Sequence, residues 1–293
     1  MAYPTVSAPY GLKPVNLIGG QVFAGSTRQL AIQYNYGINI FFGDVVSITR
    51  GYIARLPVTS GPTSGNDPVG VFLGCSFTNP VTKQKTFSQF WPANTLAGDA
   101  IAYVTDDPDT LFKVAAVTAN GVTTVGSVAR SMIGQNIQGS ELAGNINTGD
   151  SYIAMLSATT TVATTATFPY RIVDVVPDTA VSTTATLSSG GGTTTLTTSV
   201  LPTALPYGAE VLYLAANGQL IATGSWVAAA VTAGATSVTL NAQAGTLNAG
   251  GSASTGITIP NGSTLVFIQY PEAIVKINFG VHGYYNATGA TTA

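Results

Sequence analysis

Val211-Leu212-Tyr213-Leu214, Leu220-Ile221, Val238-Thr239-Leu240 and Leu265-Val266-Phe267-Ile268 are short apolar runs set between turn residues. They lie in a stretch, from Thr179 to Pro271, that carries one charged side chain, Glu210. A protein surface is ordinarily kept soluble by interspersed Lys, Arg, Glu and Asp, so such a stretch is buried, aggregating, disordered or covered by a partner. Disorder combines low hydrophobicity with high net charge, which the apolar runs contradict. The stretch is therefore expected to fold as short strands, with Gly-rich loops such as Ser188-Ser189-Gly190-Gly191-Gly192 between them.

The same stretch repeats itself. Gly192-Thr193-Thr194-Thr195-Leu196-Thr197, followed by Ala204-Leu205-Pro206-Tyr207-Gly208, matches Gly234-Ala235-Thr236-Ser237-Val238-Thr239, followed by Thr246-Leu247-Asn248-Ala249-Gly250, at an offset of 42 (234 minus 192). Each copy offers a strand, a Leu-anchored turn and a second strand, so two copies can bury each other in one small β-unit. On either side, Arg171-Ile172-Val173-Asp174-Val175-Val176 and Glu272-Ala273-Ile274-Val275-Lys276-Ile277 are charged-flanked strand patterns. If they pair, the repeat unit is an insertion into a first domain; the alternative is two consecutive domains.

Outside the neutral stretch, Gln29 to Phe42 alternates polar and apolar residues. Gly43-Asp44 then turns the chain into Val45-Val46-Ser47-Ile48, and Arg50-Gly51 leads to Tyr52-Ile53-Ala54-Arg55-Leu56, a hairpin pattern. Val69-Gly70-Val71-Phe72-Leu73-Gly74-Cys75, Phe87-Ser88-Gln89-Phe90-Trp91 and Ala100-Ile101-Ala102-Tyr103-Val104 continue a strand spacing typical of barrels and sandwiches. Two segments, 139–143 and 150–156, read as short helices, the second with Asp150 as N-cap. Pro4, Pro9 and Pro14 keep both helix and central strand out of the amino terminus, which reads as an extended arm lying on the parent domain or on a neighbouring subunit. The expected fold is all-β. It comprises an arm (1–28), a barrel- or sandwich-like main domain (29–182 plus 271–293) and an inserted β domain built from the repeat (183–270).

Composition narrows function. With 10 basic and 12 acidic residues in 293, and no basic cluster larger than Lys83 plus Lys85, there is no stripe to neutralise phosphates, and direct nucleic-acid binding is not expected. Cys75 is the only cysteine, which rules out an intrachain disulfide and Cys-pair metal sites. Met1-Ala2-Tyr3-Pro4-Thr5 lacks the basic and apolar regions of a signal peptide, and every apolar run is broken well short of a membrane helix, so neither secretion by that route nor a membrane partner is expected.

Material for catalysis is sparse. His282 is the only histidine, and Cys75, following an apolar strand, reads as a small buried hydrophobe more than as its nucleophilic partner. Asp106, Asp107 and Asp109 are the metal candidates, three carboxylates within reach of a Ca²⁺. Their spacing lacks the Gly and bidentate Glu of a calcium loop, and Asp and Pro suit a surface turn. Gly190-Gly191-Gly192 is followed by Thr rather than Gly-Lys-Thr, so no phosphate loop is present. Trp226 and the tyrosines are the candidates for a carbohydrate platform. No enzyme activity and no cofactor are expected.

The run Tyr10-Gly11-Leu12-Lys13-Pro14-Val15-Asn16-Leu17-Ile18-Gly19-Gly20 through Ala24-Gly25-Ser26-Thr27-Arg28-Gln29, with Gly43-Asp44-Val45-Val46 and Asp67-Pro68-Val69-Gly70-Val71-Phe72, resembles virion proteins of tailed marine phages. The Gly-Asp-Val-Val and Pro-Val-Gly-Val-Phe motifs also resemble the small β-barrel of phage head-decoration proteins, and the inserted copies are similar to β-repeats in phage head and tail proteins. The resemblance implies a decoration or cement protein on the outer capsid surface, made in the host cytoplasm. Such a protein is often a trimer that bridges major capsid subunits against internal DNA pressure. No catalytic residues carry over. Typical decoration proteins are one small domain, so the inserted unit is a departure. On this reading Tyr10, Leu12, Pro14, Val15, Leu17 and Ile18 of the arm, with Val71 and Phe72, are the expected contact residues. The alternative is a tail or head-fibre component that binds a host surface glycan or receptor.

Overall fold

The computed structural model describes residues 6–56, 67–157, 162–163, 168–190, 195–241, 247–249, 257–278 and 281–285. They form an all-β protein; the only helical turns among the described residues are two 3₁₀ turns, Arg130–Met132 and Pro177–Thr179. Along the chain, β1 (Lys13–Leu17), β2 (Arg28–Ala31), β3 (Val45–Thr49), β4 (Tyr52–Arg55), β5 (Gly70–Thr78), β6 (Lys85–Ser88) and β7 (Ile101–Thr105) precede β8 (Thr110–Val117). Four short strands, β9 (Asn136–Ile137), β10 (Gly139–Ser140), β11 (Ala154–Leu156) and β12 (Val162–Ala163), lead to β13 (Tyr170–Val175). Next come β14 (Val181–Gly190), β15 (Thr195–Thr198), β16 (Glu210–Leu214), β17 (Leu220–Val227) and β18 (Ser237–Asn241). The chain then passes through β19 (Leu247–Ala249), β20 (Ile257–Ile259) and β21 (Thr264–Gln269) to the last strand, β22 (Glu272–Ile277).

The first sheet runs β2-β7-β5-β3-β4, with β6 paired to the later half of β5. β3 and β4 form the hairpin read from sequence: Arg50 and Gly51 have φ of 52° and 82°, the left-handed pair whose twist matches a two-residue connection. A parallel bridge between Ile32 and Ile53 brings the sheet's two edges together, and Ile40, Phe72, Trp91, Ala102 and Val104 fill the rolled interior. Along β5 Phe72 points into this roll and Val71 away from it. A register shift between Phe72 and Gly74 then resets the alternation, so Cys75 and Phe77 return to the side of Phe72.

The second sheet runs β10-β11-β8-β22-β13-β9-β12, with β1 along β8. Phe112, Val114 and Ala116 of β8, Ile172 of β13 and Val275 of β22 pack in one buried cluster with Val45, Leu56 and Val71 from the first sheet. The two sheets thus share a core, in which each fully buried aliphatic side chain contributes roughly 1.5–3 kcal/mol.

β13 and β22 are antiparallel neighbours, with Arg171 opposite Lys276 and Val175 opposite Ala273, and all strands from β14 to β21 lie between them in sequence. Six of these close into a barrel, β14-β15-β18-β17-β16-β21, around Leu187, Leu196, Val211, Val227, Val238 and Phe267. On β18 Val238 and Leu240 point inward while Ser237, Thr239 and Asn241 are exposed, so the uncharged exterior is hydrated through hydroxyls and amides. The repeat is visible in its first half. Thr195, Leu196 and Thr197 pair with Thr239, Val238 and Ser237, which sets the two equivalent triplets side by side about a local two-fold. The second halves differ: Leu205 makes a single bridge to Val231, whereas β19 pairs in parallel with β20.

Of the two placements expected for the arm, the structure has the parent domain: β1 adds to β8 with Lys13 opposite Lys113 and Leu17 opposite Thr110. The register slips between Pro14 and Asn16, close to the residue that has no N–H to give. The expectation of short helices at 139–143 and 150–156 is corrected: neither segment is helical. β10 and β11 pair with each other, and Met155 and Leu156 run parallel to Ala116 and Val117 of β8. All three residues of β11 are buried, an environment set by strand neighbours on both sides that a short local pattern cannot report.

One junction ties these parts together. Leu12 N–H donates to Gly43 O (3.0 Å), Gly43 N–H to Phe72 O (2.8 Å) and Gly11 N–H to Ile153 O (3.2 Å). Gly11 and Gly43 both have left-handed φ, 79° and 90°. A Cβ on Gly43 would stand 2.9 Å from both Gly11 Cα and Leu12 N. Beside them Asp44 is fully buried, accepting hydrogen bonds from Phe41 N–H (2.8 Å) and the Ser151 hydroxyl (2.6 Å), with Arg55 Nε at 3.1 Å. Burial pushes the Asp44 carboxyl up, while Arg55 and the two donors pull against it. Arg55 also meets Glu141 at 3.0 Å.

Gly43→Ala is expected to destabilise the chain by several kcal/mol, because a left-handed backbone and a backbone clash act together. Gly51→Ala, at φ 82° but facing open space, is the control and should cost only about 1 kcal/mol. Urea denaturation midpoints measure both, and equal losses would show that the close approach carries no energy.

Candidate interaction surface

The expected contact residues separate into three groups. Leu12, Val71 and Phe72 are fully buried in the chain's own cores, so they are withdrawn as contact residues: exposing them to a partner would open the packing that holds the sheets. Tyr10, Pro14 and Leu17 are half-buried against the second sheet. Val15 and Ile18 are exposed at 44% and 52%. After Leu17 the chain turns back, with Gly20 N–H donating to Leu17 O (2.9 Å), Leu17 N–H to Gln21 O (2.8 Å), and a bridge between Asn16 and Val22. Val22, which the sequence reading did not single out, is 81% exposed. The signal for it was the Gly19-Gly20 turn with apolar residues on both sides. Residues 13–22 thus form a small hairpin on β8 that holds three aliphatic side chains in solvent.

This hairpin is anchored through Tyr10. Its hydroxyl donates to Oε1 of Glu272, the buried first residue of β22, and Lys113 Nζ lies 3.5 Å from the same oxygen. Lys13 and Lys113 face each other across the strand pair, and both approach the Tyr10 ring, at 4.5 and 5.7 Å from its centroid. Like charges directly opposite repel, and here the ring face and the Glu272 carboxylate offset that repulsion. Burial, and then the bond to Glu272, push the Tyr10 phenol far above its ordinary range, so it stays a proton donor. A cavity of about 390 Å³ opens beside this cluster between Ser7, Lys113 and Thr179. Sequence alone offered one sign of it, a Glu at the start of a strand whose next three residues are apolar.

The three carboxylates of the acidic turn go to different partners. Asp106 pairs with Arg28 at 2.9 Å, Asp109 with Lys276 at 2.7 Å, and Asp107 accepts the Asp109 N–H at 2.9 Å. Among the described residues no three His, Cys, Asp or Glu side chains gather where one metal ion would sit. Cys75 lies in the rolled sheet, where burial pushes its thiol up to about 12. His282 is buried against the rings of Tyr284 and Tyr285, and its Nδ1 accepts the Tyr284 N–H at 3.3 Å. Trp226 packs against the shared core where the barrel meets the sheets, so it is withdrawn as a sugar platform. Opposite it on β16 is Glu210, also buried, whose carboxyl is pushed up by burial and drawn back by Arg130 and by a hydrogen bond with Tyr270. The lone charge of the neutral stretch therefore sits at this junction.

The described residues define an all-β protein with two sheets sharing one core, a barrel carried between two paired strands, and an apolar hairpin at a sheet edge. Comparisons with protein-family models, with curated proteins and with solved structures find no match to this chain.

Burial holds the His282 imidazole below its ordinary 6.5, with Asp106 and Asp107 opposing and Lys276 adding to the shift. The folded chain thus keeps it neutral where the unfolded chain takes up a proton. Its contribution to stability is full above 6.5 and is lost as the pH falls towards the folded value. Denaturation midpoints measured from about pH 7 down to about 5 should fall more steeply for the wild type than for His282→Gln, and identical slopes would refute this.

Proposed function

We propose that this chain is a non-enzymatic structural protein of a phage virion, one that decorates and stabilises a capsid shell by bridging major capsid subunits from outside. The observation that carries the reading is the hairpin of residues 13–22. Val15, Ile18 and Val22 stand in water on a β-turn that is itself fastened to the core through Leu12 and Tyr10. Rigidly held, exposed apolar side chains lower the ordering cost of association, and burying them against a shell is favourable where burying unpaired charge is not. The sequence resemblance to head-decoration proteins supports the same reading and supplies its trimeric form. The Thr- and Ser-covered barrel exterior is compatible with close packing between copies, because hydroxyl surfaces cost far less to desolvate than charged ones.

Co-sedimentation of the purified chain with expanded shells of its own capsid tests the proposal. The wild type is expected to pellet with the shells, and Ile18→Asp combined with Val22→Asp to reduce binding by at least about tenfold, since two charges would be desolvated without partners. Because both positions are exposed, the unfolding free energy from urea denaturation should stay within about 0.5 kcal/mol of wild type. A wild-type chain that stays in the supernatant, or a double variant that binds as well, would overturn the proposal.

A further inference from the structure

A cavity opens at one end of the barrel, between the end of β16 and the turn into β21. Ala209 and Val211 of β16 and its approach point into the barrel core, and Tyr213, two residues further, lies on the same face and packs partly against that core. Tyr213 also lines this cavity of about 500 Å³, with Leu214 to Ala216 on one side and Pro260 to Thr264 on the other. The volume falls in the range of small-ligand sites, about 300–1,000 Å³, and barrel mouths are a preferred place for them.

Three observations specify the chemistry. First, among the described residues no Asp, Glu, Lys, Arg or His lines the cavity. The one charge of the barrel, Glu210, lies at the other end of β16, about 13 Å away at the rise of a β-strand. A charged ligand would lose its hydration here without gaining a counter-ion. Second, the lining supplies polar groups that the fold does not use. Among the described residues the Tyr213 hydroxyl, the Asn261 amide and the Ser263 and Thr264 hydroxyls make no side-chain hydrogen bond. The groove beside β6 differs, because its Ser88 hydroxyl, Gln89 amide and Tyr103 hydroxyl are all bonded within the chain. Third, the rim is apolar and set on tight turns. Leu214 and Leu220 face each other across the β16–β17 hairpin, 40% and 48% exposed, and Gly218 and Gly262 turn the two rim loops with left-handed φ.

We propose that the barrel mouth binds a neutral saccharide, with one pyranose face on the Tyr213 ring and its hydroxyls on Asn261, Ser263 and Thr264. An aromatic face held by the core, hydroxyl and amide partners, and no charge match a ligand that is hydroxyl-rich at its edges and apolar on its faces. The site goes beyond the shell-binding reading and does not depend on it.

The test uses the full-length chain and ligand-observed saturation-transfer NMR. The probes are the methyl glycosides of glucose, galactose, mannose and N-acetylglucosamine, with N-acetylneuraminic acid as a charged comparison. At least one neutral glycoside is expected to bind with a Kd on the order of 1 mM, and N-acetylneuraminic acid to bind at least about tenfold more weakly. Asn261→Ala, at an exposed position, and Tyr213→Ala should each weaken the neutral ligand at least about tenfold. If affinity then rises with the length of a linear oligosaccharide of the same sugar, a polysaccharide chain is the ligand; if it does not, a free sugar is. Both results support the site. Absence of binding by all four neutral glycosides, tighter binding of the acidic sugar, or neutral-sugar binding unchanged in Asn261→Ala would overturn it.

Discussion

The backbone approach of Gly11 to Gly43, with Asp44 buried beside it, is the constraint on which the two-sheet body depends. Three chain segments meet where there is no room for a Cβ: the amino-terminal segment, the start of β3 and the loop before β11. Gly43 is tied on both sides, accepting from Leu12 and donating to Phe72, so the position of β3 against β5 and that of the arm are fixed together. Asp44 makes this position polar as well as tight. A buried carboxylate is tolerable only when surrounded by donors, and those donors come from Phe41, Ser151 and Arg55, each on a different part of the chain. A slip of one residue in β3 would remove the carboxylate from all three and exchange the faces of Val45 and Val46, which now serve two different cores.

Much of this was legible in the sequence wherever the signal is local. Arg50-Gly51 between two apolar runs specifies its hairpin, and the strand spacing specifies an all-β chain. Contacts distant in sequence were hidden. The prolines that exclude a central strand were read correctly, since β8 is the one strand that β1 pairs with among the described residues, but nothing near Pro14 shows that its partner is β8, almost a hundred residues later. The segment 150–156 was read as a helix for a related reason. A run of five apolar residues, Tyr152 to Leu156, fits either period, and the pairing of β11 with β8 decided the matter. Among the contact candidates, Val71 and Phe72 are as apolar as Val15 and Ile18. Only their central place in a sheet buried on both faces removes them from the surface.

The neutral stretch resolves into a physical division of labour. Its apolar side chains fill the barrel, its Thr, Ser and Asn residues meet solvent, and its one carboxylate is held at the base by Arg130 and Tyr270. Low charge therefore needs no covering partner to keep the unit folded. It does leave the exterior without long-range electrostatic steering, so association through this face relies on short-range shape and hydrogen bonding.

The pairing of β13 with β22 has a mechanical meaning. The chain leaves for the barrel after Val175 and returns before Glu272, so both connections emerge at the same end of two neighbouring strands. A force that drags the barrel away from the body loads these strands from that end, and their shared hydrogen bonds open one after another, as in a zipper, instead of shearing all at once. The first to part are those near Val175 and Ala273. Each strand is also held on its outer side, β22 by β8 and β13 by β9, so the body keeps its sheet while the tether yields. The barrel also packs on the shared core through Trp226 and Ile268, so that contact has to part before such a load falls on the paired strands alone.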